Sequence, residues 1–308
     1  MPIHAAGIYN DGDEELTVSD YAVSSYTSNV SSLTDLVRAA KSNGARPTAP
    51  SPSPTTGITL ISITDAVEGE PSLPGTAIEV SKVTAQATAY SIPTSNLHGA
   101  DATVESTIEK MQEHSCVHFA CHASQDAEDP LWSGFLLSDG RLSLSKIMGL
   151  NLGSAAQAQN SKRGEGGEKD IGDDANRGGP AELAFLSACQ TSAGSNTLSE
   201  EAVHLAAGMI GAGYKGVIAT MWSIPDIYAP VIAQEFYRDL FERSKRGHGE
   251  GEVGSVKDEE GRGEAGGIID VRMAAQALNK SVQLLRKQLD SKSPVSFLAW
   301  VPYVHFGL

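Results

Sequence analysis

The sequence predicts an α/β fold: a central, mostly parallel sheet of about six strands with helices on both faces. Three observations lead there. Short apolar runs alternate with helical patterns through residues 57–122, an order that gives parallel strands joined by right-handed crossovers. Two runs, residues 115–122 and 184–191, are apolar on both faces, as strands inside a parallel sheet are. Each run also closes on a reactive side chain, His122 in the first and Cys189 in the second. In open α/β sheets ligands bind beyond the carboxyl ends of the strands. A histidine and a cysteine at two such ends could meet in one site, far apart in sequence and adjacent in space.

Residues 1–56 read as a lead-in. Residues 21–26 alternate like a strand, residues 32–41 suit a short helix with Ser32 as N-cap, and residues 46–56 form a proline-rich spacer. The main domain is expected over 57–308. It starts with a strand at 57–63, a helix at 76–87, a weak strand near 89–91 and a helix at 102–113. The last is carried by Val104, Ile108 and Met111 at helical spacing. After His122 a hairpin pairs 134–137 with 141–143 around Ser138-Asp139-Gly140. Residues 153–180 hold almost no large apolar side chain and read as a disordered insert. A helix from near Thr197 or Ser199 stops at Gly211 or Gly213, and a strand follows at 216–223. Ile232, Phe236, Leu240 and Phe241 make an amphipathic helix of 229–243; a second low-complexity insert fills 244–267. A long helix spans 271–289, and a last strand at 297–304 is pushed to a sheet edge by Pro302.

Composition narrows the function. The net charge of -15 argues against a nucleic-acid footprint, which needs basic surface. Three cysteines, an odd and low number, do not make a disulfide framework and suit a reducing, cytoplasmic compartment. Residues 1–5 are not read as a signal peptide. The most apolar window, 202–221, is interrupted by His204, Lys215 and glycines and is not read as a membrane span.

Two motifs dissolve on inspection. Cys116-x-His118-x-x-Cys121-His122 has metal-ligand residue types, but on a strand Cys116 and His122 would stand roughly 20 Å apart. Cys116 and Cys121 are then small buried hydrophobes, and His118 a core histidine. Gly211-Ala212-Gly213-Tyr214-Lys215-Gly216 matches G-x-G-x-x-G, yet a helix precedes it and a strand follows. Dinucleotide binding needs the reverse order, so these glycines are a helix stop. For His122 and Cys189 the bland reading is a solvated histidine and an inert buried thiol; their neighbourhood raises them above it.

His118-Phe119-Ala120-Cys121-His122, then Pro130-Leu131-x-Ser133-Gly134 and Asp139-Gly140-x-Leu142, resembles the histidine block of CHAT-domain proteins. Leu186-Ser187-Ala188-Cys189-Gln190-Thr191 resembles their cysteine block. Gly208, Gly213 and residues 217–226 match the helix, strand and loop that follow. The resemblance runs from about residue 58 to the end, with weaker echoes in 1–30. CHAT domains are caspase-like cysteine peptidases, related to separases and often carried behind tetratricopeptide repeats.

The resemblance implies a caspase-haemoglobinase fold with His122 and Cys189 as a catalytic dyad and peptide-bond hydrolysis as the activity. It implies an oxyanion hole from the backbone N–H groups of Cys189 and Ala123, and substrate contacts from Asp226 and Trp222. Asp226 matches an acidic position, which would favour Lys or Arg before the cut; the alternative for it is a helix N-cap. No metal or organic cofactor is expected. The expected partners are a protein substrate and an upstream tetratricopeptide-repeat region, with no nucleic acid and no membrane. The domain is expected to begin upstream of Met1. Many relatives carry Gly where this chain has Ala123; if that backbone must adopt positive φ, Ala strains the oxyanion loop. By analogy the role is regulated proteolysis or cell-death signalling. The alternatives are a catalytically silent interaction or scaffold domain and, without an acyl-carrier signature, an acyl transferase or esterase.

Overall fold

A computed structural model describes residues 2–9, 16–27, 34, 57–67, 69–124, 126, 128–150, 152, 181–187, 189–190, 201–249, 267–290 and 293–307. The main sheet has six strands: β3 (Ile58–Ser62), β4 (Thr94–His98), β5 (Cys116–Ala120), β9 (Leu183–Leu186), β11 (Gly216–Thr220) and β12 (Tyr303–Gly307), in the order β12-β11-β9-β5-β3-β4. All neighbours are parallel except β12, which runs antiparallel to β11. This is the mostly parallel, helix-flanked sheet that the alternation predicts, and it is consistent with a caspase-like fold.

Side-chain alternation splits the core into two layers. On one face Ile61, Val117, Phe119, Ala184 and Val217 meet Met111 of α3 (Val104–Glu113), Ile147 of α4 (Leu144–Gly149) and Met209 of α5 (Glu201–Gly211). On the other, Ile58, Leu60, Phe185 and Ile218 meet Val83 of α2 (Gly75–Ala89), Phe236 of α6 (Ala229–Gly249) and Leu278 of α7 (Ala274–Gln288). Among the described residues no helix is long and apolar enough to cross a membrane.

A second sheet, ordered β10-β6-β7-β8, lies beyond the carboxyl ends of the main strands. It contains β6 (His122–Ser124), β7 (Gly134–Leu137), β8 (Gly140–Ser143) and β10 (Cys189–Gln190). The predicted hairpin is β7 and β8, with Gly140 at φ 139°.

The structure corrects several expectations. The two long apolar runs are not single strands. Each breaks, at Cys121 or after Leu186, and passes from the main sheet into the second. The strand near 89–91 is the end of α2; the real strand is β4, and Ser91 turns the chain with φ 55°. Residues 297–304 hold the helix α8 (Pro294–Trp300) and only the start of β12, because Pro294 opens a helix at its first position. Residues 18–21 are the short helix α1 (Val18–Tyr21), and only Tyr26 bridges, parallel to Phe306. Residues 244–249, expected in the second insert, belong to α6, which continues to Gly249 with Ser244 buried; the Gly267 N–H bonds to Ser91 O, and residues 250–266 lie outside the described residues. The helix at 32–41, the proline-rich spacer and the first insert lie outside the described residues, Thr34 apart.

The N-terminal segment packs on α7 and β12. β1 (Gly7–Ile8) and β2 (Leu16–Thr17) pair antiparallel, and Asp20 meets Arg286 of α7 at 3.1 Å. Tyr26 N–H donates to His305 O, and Gly307 N–H to Tyr26 O. The outer edge of β12 is thus covered at that point.

Candidate active site

Three chain crossings build the site. β5 ends at Ala120; Cys121 is the single residue between it and β6, which leaves the main sheet. β9 ends at Leu186, and after two intervening residues β10 begins at Cys189. β10 and β6 then pair in parallel, with Cys189 opposite His122 and Gln190 opposite Ala123. Cys189 and Gln190 are placed here by their backbone register. β6 is held on its other side by β7, Ala123 opposite Phe135 and Ser124 opposite Gly134. Gly134 is required there, since a Cβ would collide with Leu142 O and Ser143 Cα.

The third crossing is the segment between β3 and α2. Its Pro71 carbonyl lies 2.7 Å from His122 Nε2. A carbonyl oxygen only accepts, so Nε2 carries the hydrogen and Nδ1 of the neutral ring is the acceptor. His122 is 1% exposed, and Nδ1 has no hydrogen-bond partner among the described residues. A backbone carbonyl therefore orients the ring, in the place where the sequence offers no carboxylate.

The same segment is gripped at its far end by Asp226. Its Oδ2 accepts the Gly75 N–H at 2.6 Å, and a Cβ on Gly75 would fall within 2.6 Å of Asp226 atoms. Asp226 thus caps a helix, as the alternative reading has it, but the helix is α2 rather than a local one. Trp222, half-buried, donates from Nε1 to Leu298 O at 3.4 Å. Ala123 lies within β6, and Ser91 is the only non-glycine with positive φ among the described residues. The strain feared at Ala123 is absent.

Cys116 and Cys121 are both buried. Burial pushes the Cys116 thiol up to about 12, so it stays protonated and unreactive at neutral pH. His118 is fully buried, stacked on Phe185 at 4.7 Å, with Nε2 3.1 Å from Glu79 Oε1 and Nδ1 3.3 Å from Tyr237 Oη. Among the described residues no cluster of three or more His, Cys, Asp or Glu side chains could hold a metal. Sequence reading missed Pro71 and Glu79. Pro71 acts through a backbone atom that no side-chain pattern marks. Glu79 left a signal: it sits on the buried stripe Thr76, Glu79, Val80, Val83, Ala87 of α2, where a carboxylate is out of place.

Fold and site together define an α/β protein with a histidine and a cysteine block abutting at the carboxyl edge of its sheet. The family model of the CHAT domain matches residues 1–250, and the chain belongs to the CHAT family, which is related to caspase-like cysteine peptidases. The match takes in the N-terminal segment and stops before α7, α8 and β12. No curated protein matches the chain.

Proposed function

We propose that the chain is a cysteine endopeptidase working through His122 and Cys189. The observation that carries this reading is the pairing of Cys189 with His122 across β10 and β6, with the His122 ring oriented by Pro71 O. Nδ1 is then the nitrogen that takes the thiol proton. The thiolate attacks the scissile carbonyl carbon, and the N–H groups of Cys189 and Ala123 stabilise the oxyanion. The imidazolium returns its proton to the leaving amine, the acyl group stays on sulfur, and water releases it. Asp226, with Oδ2 on Gly75 N–H, offers Oδ1 to a Lys or Arg before the cut, and Trp222 flanks the same loop.

The substrate is a protein, in regulated proteolysis or cell-death signalling within the cytoplasm, and the upstream partner is a tetratricopeptide-repeat region. No cofactor takes part in these steps. A specific observation supports the second reading, a silent interaction domain: His122 and Ala123 are both buried. Cleavage of a peptide library by the purified chain tests the choice. Cuts that vanish in Cys189→Ala support the peptidase; no cuts, or cuts that survive the substitution, reject it.

A further inference from the structure

We infer that Glu79 is a positioning residue for the cysteine block, an inference that rests on the dyad reading above. Glu79 lies in the first turns of α2 and is 1% exposed. A carboxylate removed from water is retained only where partners compensate it. It has one hydrogen bond and one close approach, on different elements. Oε1 stands 3.1 Å from His118 Nε2 on β5, and Oε2 accepts the Ser187 hydroxyl at 3.0 Å.

Ser187 is where this matters. It is the first residue after β9, at the point where the chain leaves the main sheet, two positions before Cys189. Ser187 is itself buried. The Glu79 bond ties that departure point to α2. The start of α2 is in turn pinned by Asp226 on Gly75, and the segment leading into it presents Pro71 O to His122. One helix and its lead-in therefore contact His122 itself and the strand end that leads to Cys189: Pro71 orients the histidine, and Glu79 holds Ser187. His118 lies beside the other carboxylate oxygen, 3.1 Å away, with its Nδ1 3.3 Å from Tyr237 Oη.

The test uses the full chain and two readouts, amide hydrogen exchange of the peptide covering residues 187–190 and the alkylation rate of Cys189 by iodoacetamide. Glu79→Ala is expected to raise exchange in that peptide about tenfold and to slow alkylation, leaving β3 and β5 peptides unchanged. Ser187→Ala should reproduce this, and Glu79→Gln, which keeps an acceptor for Ser187, should restore both readouts to within about threefold of native. If Glu79→Ala does not fold, Ser187→Ala and Glu79→Gln decide alone. Exchange at 187–190 unchanged in a folded variant overturns the inference, as does an equal rise across β3 and β5. A native Cys189 no faster than the denatured thiol would instead sink the peptidase reading, while the exchange readout still decides the role of Glu79.

Discussion

Cys189 and His122 are register partners on β10 and β6, two short strands that leave the main sheet side by side. The pairing exists because both apolar runs break at the same depth, so residues 67 positions apart arrive opposite one another. Backbone register, rather than any local motif, sets the candidate dyad.

The Pro71 carbonyl fixes which nitrogen of His122 is protonated. Nitrogen NMR of the imidazole in the neutral form should show hydrogen on Nε2 and none on Nδ1. The opposite tautomer would mean that Pro71 does not orient the ring.

Gly75 and Asp226 fit each other too closely for a methyl group. Gly75→Ala should cost about 2 kcal/mol, read as a lower urea midpoint, because the new Cβ meets both the carboxylate and the backbone of Asp226. An unchanged midpoint would show that the α2 start is loosely packed.

Asp226 has two proposed roles that one substitution separates. Asp226→Asn keeps a capping oxygen, so stability should hold while the preference for Lys or Arg is lost; Asp226→Ala should also cost about 1 kcal/mol. A cleavage preference that survives Asp226→Asn leaves the residue as a cap alone.

His305 sits under the N-terminal segment, and burial lowers its pKa to about 4. The unfolded chain then binds this proton more readily than the folded one. The stability it permits is complete above the unfolded value of about 6.5 and falls by about 3 kcal/mol as pH drops through 4. Burial lowers His4 and His114 in the same direction. Urea midpoints measured between pH 7 and pH 4 should fall less steeply for His305→Gln than for the native chain; parallel curves would show that His305 does not titrate on unfolding.

Much of this fold can be read from the sequence. β3, α3 and the β7–β8 hairpin follow from local apolar period and turn residues. The glycines from 211 to 216 act as the inverted order says they must: Gly213 has φ 113° between α5 and β11. What local pattern cannot supply is where a strand changes sheets. Cys121 and Ser187 sit inside runs that read as single strands, and only their partners in space decide the break. α8 was hidden for a related reason, since Phe297, Ala299 and Trp300 are apolar in either conformation. β4 was hidden by polarity: Thr94, Ser95, Asn96 and His98 belong to a sheet edge. His122, Cys189, Asp226 and Trp222 are legible as residue types. The Pro71 carbonyl is not, because any residue there carries one.

The most direct test of the dyad is site-resolved labelling with a peptidyl electrophile at neutral pH, read by mass spectrometry, with denatured protein as the control for access. Cys189 should be modified alone in the native chain, since Cys116 and Cys121 are buried. His122→Ala should slow that reaction by about tenfold or more, because it removes the base and leaves the nucleophile in place. Slow, equal labelling of all three thiols, indifferent to His122→Ala, would contradict the account.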